Sequence, residues 1–178
     1  SLLKVIGRKD ISMAVTGKID RKYMAHYIDA GSLCGGLTPK YERLGKDLEE
    51  YNVELNPDTE TSKNILGEST FKHNGYEVSS DADPFYADTT SDLFTALQKI
   101  VDGRLKDDNL KTKAVEVHLW TEATAGKYEA YQQDCYVVPT SYGGDTSGYQ
   151  IPFTVNYTGK RVKGKFDISS GTFTADSE

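Results

Sequence analysis

The chain has 178 residues with 21 Lys and Arg against 27 Asp and Glu, so its formal net charge at pH 7 is −6 and one domain is expected. This acidic balance disfavours nucleic-acid binding, which needs clustered Lys and Arg. We expect neither a membrane protein nor a secreted one, because no apolar run approaches the roughly 20 residues of a membrane span and residues 1–8 lack a signal-peptide core.

The first thirty residues have no clean hydrophobic period, and residues 1–40 are predicted to form an N-terminal arm ahead of the core. Within it, residues 13–20 are predicted to be a short strand, and the glycine-rich stretch 31–39 a loop. Residues 1–31 carry a net charge of +3, whereas residues 42–108 carry −9. These opposite charges suit attraction between subunits, and they equally suit a solubility surface with a flexible end.

The core domain is predicted over residues 41–168. Residues 49–56 alternate, with Tyr51, Val53 and Leu55 on one face and Glu50, Asn52 and Glu54 on the other. This period of two predicts a half-buried strand. Asn56-Pro57-Asp58 then signals a turn, and Asn74-Gly75 between strand-like flanks predicts a β-hairpin.

Residues 91–102 are predicted to form one helix. Its apolar side chains recur with helical spacing: Leu93, Leu97, Ile100 and Val101. Thr90 or Ser91 is expected to cap the N-terminus, and Gly103 to end the helix. A helix of about three turns is long enough to cover one side of a sheet.

The remaining chain is predicted to be β. Alternation over 115–120 and over 151–158 predicts strands, and residues 128–138 are a long strand candidate that ends at Pro139. Residues 140–148 are predicted to be a loop, 158–161 a turn, and 162–168 the partner strand. Residues 169–178 are predicted to be a flexible tail. The predicted fold is therefore mainly β, in the α+β class: an antiparallel β-sandwich or small barrel with one flanking helix.

No residue pattern points to catalysis. His26, His73 and His118 are scattered, and Cys34 and Cys135 have no metal-type spacing. Gly143-Gly144 in a Ser/Thr-rich loop is better explained as flexible-loop composition than as an anion cradle. We therefore predict no catalytic, cofactor-binding or metal-binding residue, and no enzyme. The twelve tyrosines fit a protein interface and ordinary sheet surface equally well.

The order and spacing of several segments resemble the major tail (tail tube) proteins of tailed phages and prophages. The resemblance covers about residues 20–168 and is strongest over 41–102, where helix 92–102 follows five motifs. These motifs are YERLGKD at 41–47, NVELNPDTE at 52–60, NILGE at 64–68, NGYE at 74–77 and DPFYA at 83–87.

The resemblance implies a structural subunit that joins sheets edge to edge into a hexameric ring, with rings stacked into the tail tube. It implies an N-terminal arm or a long loop that bridges neighbouring subunits or rings. It also implies a negatively charged lumen, through which DNA moves without binding. Implied partners are the chain itself and the tape-measure, terminator and distal tail proteins. The implied location is the bacterial cytoplasm before assembly and the virion tail afterwards. Our hypothesis is that Glu50, Asn52 and Glu54 face the lumen. The alternative is that these side chains face solvent on the outer surface.

Two alternatives stay open. One is a tail terminator or a tube of a contractile tail, bacteriocin or type VI secretion system, which share the fold. The other is a monomeric β-barrel or sandwich that binds a small ligand or carbohydrate, with tyrosines and Trp120 lining a pocket. Solution mass separates a polymer from a monomer.

Overall fold

The computed structural model describes residues 14–177, and it is mainly β. The strands are β1 Met24–Asp29, β2 Tyr41–Leu44, β3 Pro57–Lys63, β4 Ser69–Tyr76, β5 Ser79–Ala82, β6 Lys111–His118, β7 Lys127–Pro139, β8 Gly143–Asp145, β9 Gly148–Gln150, β10 Phe153–Asp167 and β11 Thr172–Ala175. Helix α1 spans Asp92–Gly103, and short 3-10 segments span Arg21–Tyr23, Ala30–Gly35 and Asp107–Leu110.

Seven strands form one antiparallel sheet in the order β11-β10-β7-β6-β1-β2, with β5 also paired to β10. Strand β7 pairs with one edge of β10 from the first residue of β10 to the last. On the other edge of β10, β5 pairs with residues 153–156 and β11 with residues 164–167. The sheet curls into a half-barrel with one flanking helix, which confirms the predicted fold class. Two-stranded ribbons β3–β4 and β8–β9 complete the described strands.

The sheet is buried on both faces, but at different places. On one face, helix α1 covers a core that includes Val137, Val155 and Phe153. On the other face, a smaller core holds Phe166 on β10 against Tyr27 on β1, with ring centroids 4.5 Å apart. Because three strand steps separate β10 from β1, this contact requires the sheet to curl toward that second face.

Helix α1 is confirmed almost to the residue. Its apolar stripe is buried, and Ser91 rather than Thr90 is the cap: the Ser91 hydroxyl accepts from the Phe94 amide at 3.1 Å. The predicted stop differs by one residue. Gly103 is the last helical residue, and Arg104 adopts the left-handed conformation that ends the helix, at φ 47°.

The N-terminal part of the chain contributes more to the sheet than its sequence indicates. Met24–Asp29 lies between β2 and β6, with five of its six residues buried, so the core begins there rather than near Tyr41. Residues 14–20, in contrast, contain no strand, and Met13 lies outside the described residues. The prediction of a strand over 13–20 is therefore wrong for its described part.

Three turn and tail predictions are corrected. The hairpin β3–β4 turns at residues 64–68, and Asn74-Gly75 instead lies where its register shifts near the base. Residues 158–161 form a bulge inside the continuous strand β10, not a turn between two strands. Thr172–Ala175 pairs with β10 and is not a flexible tail.

Two further segments differ from their predicted form. Residues 49–56 are not a sheet strand; one isolated bridge joins Glu54 to Ser79. Tyr51 is buried as predicted, but Leu55 is 54% exposed. The loop 140–148 contains strand β8, and its paired strand β9 begins at Gly148. These strands are too short for the period of two to reveal them.

Candidate functional site

A cavity of about 810 Å³ lies mainly on the face of the sheet that also carries the core under α1, and the residues that line it come from outside that helix. Its sheet wall is built from side chains at matched positions: His26 on β1 is directly opposite Glu116 on β6, which is opposite Tyr131 on β7. Directly opposed residues in antiparallel strands place their side chains about 5 Å apart on one face. Tyr157 on β10 and Tyr51 from the segment between β2 and β3 also line the cavity.

His26 is the most unusual side chain of this wall. It is 8% exposed, and its Nε2 atom has no hydrogen-bond partner within residues 14–177. Burial, with the charge of Arg21 as a smaller cause, lowers the pKa of His26 to about 4, so the imidazole is neutral at pH 7. Its ring lies 4.7 Å from that of Tyr51. A buried polar atom without a partner is costly in a folded protein.

Tyr51 and Tyr157 extend the polar part of the wall. Their hydroxyls are 3.3 Å apart, and the Tyr157 hydroxyl lies 3.3 Å from that of Ser80. Burial raises the pKa of both tyrosines, so both phenols stay protonated. Both contacts are long for hydroxyl pairs, whose usual separation is about 2.7–2.8 Å, so these groups retain capacity for a further partner.

The charged groups of the cavity are paired with one another. Glu116 contacts the Arg161 guanidinium, and its carboxylate lies 3.6 Å from Nε2 of His118. Burial alone would raise the pKa of Glu116, but His118 and Arg161 outweigh it, and the net shift is downward. Arg161 also lies over the Tyr131 ring at 4.0 Å, and His118 stacks on Trp120 at 4.3 Å.

Sequence reasoning missed this wall because it looked for histidines close together in sequence. His118 is two residues from Glu116 on β6, but His26 lies on the adjacent strand and meets Glu116 only through the antiparallel register, which no local motif reveals. The alternation over β6 correctly placed Glu116 on the face opposite Val115 and Val117. It gave no indication that this polar face is partly buried.

The predicted lumen residues lie apart from this wall. Glu50, Asn52 and Glu54 are all exposed, and Asn52 donates a hydrogen bond to Glu50 at 2.6 Å. Their common outward direction agrees with the predicted alternation, although the segment is not a core strand. The lumen placement itself stays a prediction.

The other residues that the sequence analysis weighed are placed as follows. His73 is exposed on β4. Cys34 and Cys135 are free thiols, and burial raises the pKa of both, that of Cys135 to about 12. Gly143 and Gly144 lie in β8. In the part of the chain that is described, no three His, Cys, Asp or Glu side chains come together in a way that could hold a metal ion.

A second surface feature is the hairpin β3–β4, here called the projecting hairpin. All of β3 is exposed, and only Gly75 of β4 is partly buried. Its turn is held by Asn64, whose side-chain oxygen accepts from the amides of Leu66 and Glu68 at 3.0 Å. This turn presents Ile65, which is fully exposed, and Leu66, which is 77% exposed.

The fold and these two features define a mainly β protein with a half-barrel sheet, a polar cavity and an apolar-tipped hairpin. No protein-family model and no curated protein matches the chain. No helix among residues 14–177 is both long and apolar enough to cross a bilayer.

Proposed function

We propose that this chain is a structural subunit of a tail tube, which assembles by edge pairing into hexameric rings that stack into a DNA conduit. The projecting hairpin is the observation that carries the proposal. A lone two-stranded ribbon is marginally stable in water, and a fixed turn with two exposed aliphatic side chains gains most by packing on another chain. The hairpin then serves as the bridging loop that the resemblance to tail tube proteins implies.

The sheet edges support the same proposal. Within the described residues, no strand pairs with the outer edge of β2 or of β11. Unpaired edges carry rows of free amide and carbonyl groups that can accept a strand from a second copy. Because β2 and β11 stand at opposite ends of the sheet order, pairing one with the other is head-to-tail, which closes into a ring when the rotation permits.

Negative-stain microscopy and sedimentation of concentrated protein test this function. We expect concentration-dependent rings or tubes with a central channel for the wild type. Ile65→Asp combined with Leu66→Asp places two charges at the hairpin tip and should prevent stacking. The matched control is Leu37→Asp, because Leu37 is equally exposed but lies outside the hairpin. If Leu37→Asp reduced stacking as much as the hairpin variant, a specific role for the hairpin would be contradicted.

A monomeric ligand-binding protein is the second candidate, and the cavity is the observation that favours it. Sedimentation separates the two. A strict monomer at every concentration contradicts the tube, whereas reversible polymers contradict a purely monomeric binder.

A further inference from the structure

We propose that Asn74 is a site of spontaneous deamidation, in which its side-chain amide becomes a carboxylate and the adjacent His73 acts as the base. The site lies near the base of the projecting hairpin and is independent of tube assembly. Of the six asparagines in the sequence, Asn74 is the one that is followed by glycine. A glycine has no side chain to shield its amide nitrogen, and this nitrogen is the atom that attacks the asparagine side chain in deamidation.

The backbone at Asn74 departs from the regular pairing of the hairpin. Gly75 lies opposite Asp58, and His73 lies opposite Thr59, so Asn74 is the extra residue of a bulge and has no partner on β3. Gly75 has a φ of 129°, a conformation that other residues rarely adopt. A residue without cross-strand pairing changes its backbone angles at lower cost than its paired neighbours, and ring closure at Asn74 requires such a change.

His73 is placed to take the proton that the reaction releases. The Gly75 amide donates a hydrogen bond to Nδ1 of His73 at 3.1 Å, so this nitrogen presents its lone pair to the attacking group. The imidazole lies beside the Tyr76 ring, with the ring centroids 4.7 Å apart. A histidine within hydrogen-bond reach of the proton that it removes has the geometry of a general base.

The side chain of Asn74 is free to turn toward the Gly75 nitrogen. It is exposed, and it makes no hydrogen bond within residues 14–177. Asn156 is held instead by strand pairing on both sides, with β5 and with β7. The other four asparagines donate side-chain hydrogen bonds: Asn52, Asn56, Asn64 and Asn109. These five residues therefore serve as internal controls.

The reaction balances with water as its only other reagent. The Gly75 nitrogen bonds to Cγ of Asn74 while its proton passes to His73, and the bond from Cγ to Nδ2 then breaks. The leaving group takes the proton back from the imidazole and departs as ammonia, and a five-membered succinimide remains. Water opens this ring at either carbonyl, which gives aspartate or isoaspartate at position 74. Either product adds one negative charge to the hairpin.

Incubation of the folded protein at neutral pH in water enriched in heavy oxygen tests the site. Hydrolysis of the succinimide adds one heavy oxygen, so mass spectrometry of the digested protein separates conversion during the incubation from aspartate already present. Chromatography separates the isoaspartate form. We expect Asn74 to convert while the other asparagines stay unchanged. The same incubation in urea gives the rate for the unfolded chain.

Three variants test the role of His73. His73→Phe keeps a ring beside Tyr76 but removes the base, and His73→Gln is the second variant if the first does not fold. Each should slow conversion in the folded protein roughly tenfold, less than the 10²–10⁴ of a base in an enzyme, because this imidazole is exposed to water. Phe71→Leu is the matched control, since Phe71 is an exposed ring on the same strand. Circular dichroism establishes that each variant is folded.

Conversion of Asn74 that is slowed in the folded His73 variants and persists in Phe71→Leu supports the site. The proposal is overturned if Asn74 stays intact in the folded wild type over a period in which the unfolded chain converts. It is also overturned if the folded His73 variants convert as fast as the wild type, or if Phe71→Leu slows conversion equally. Equal slowing of the His73 variants in urea would overturn it as well, because the fold would then not position the base.

Discussion

Acidification should destabilise this protein through His26, and the structure sets the size of the effect. Burial lowers the pKa of His26 from 6.5 to about 4. The unfolded chain therefore binds a proton between these values that the folded chain refuses, so stability falls as the pH drops from 6.5 toward 4. At roughly 1.4 kcal/mol per pH unit, the full loss is about 3 kcal/mol.

Burial sets the direction of this pKa shift, and most of the charges around His26 act in the same direction. Arg21, His118 and Arg43 oppose a second positive charge, and Glu116 alone favours it. Because Glu116 is already committed to Arg161, its attraction does not compensate for burial. The folded imidazole therefore stays neutral well below the pH at which an exposed histidine is protonated.

Urea unfolding at several pH values between about 7 and about 4 measures the loss. The comparison is with His26→Leu and His26→Gln, neither of which titrates in this range. The wild type should lose about 3 kcal/mol more than either variant over the range. Glutamine keeps a polar group, whereas leucine does not. If both variants show the same small pH dependence, the loss in the wild type comes from protonation of the imidazole and not from the packing of its ring. Parallel curves for all three proteins would refute this account of His26.

Three further predictions follow from named contacts. Ser91→Ala should lower the free energy of unfolding by about 1 kcal/mol in urea titrations, whereas Thr90→Ala, which removes no cap, should change it much less. Gly164→Ala should release β11, because a Cβ there would lie 2.3 Å from a backbone oxygen of that strand; faster amide exchange over Thr172–Ala175 measures this, and unchanged protection contradicts it. Cys135, whose pKa burial raises to about 12, should resist iodoacetamide in the native protein and react on unfolding, as followed by mass spectrometry.

Local signals were sufficient for the helix and for the longest strands. The apolar stripe from Leu93 to Val101 and the alternation over β6 predict their elements correctly because each carries its own period, and β7 is found as a long strand that ends at Pro139. The sequence does not reveal strand β1 because five of its six residues are buried, on both faces of the sheet. Its polar residues His26 and Asp29 are buried as well and do not alternate with the apolar ones, so the strand has no period of two to detect.

The features that the sequence did not predict depend on pairing between strands that are distant along the chain. The bulge at 158–161 looks like a turn locally, but β7 pairs with β10 on both sides of it and keeps the strand continuous. Asn74-Gly75 is a strong hairpin signal, yet pairing with β3 places it at a register shift. The cavity wall has the same origin, since His26, Glu116 and Tyr131 meet only through the order of three strands.

Burial on both faces of the sheet has a consequence for how firmly its strands are aligned. In a sheet with one solvated face, slipping a strand by one residue exchanges its apolar and polar sides. Here β6 supplies Ala114 to the core under α1 and Val115 and Val117 to the opposite core, so a slip would misplace side chains in both at once. The alignment is thereby held from two sides. The edges of β2 and β11 that no strand within residues 14–177 covers therefore present their amide and carbonyl groups at fixed positions to an incoming strand.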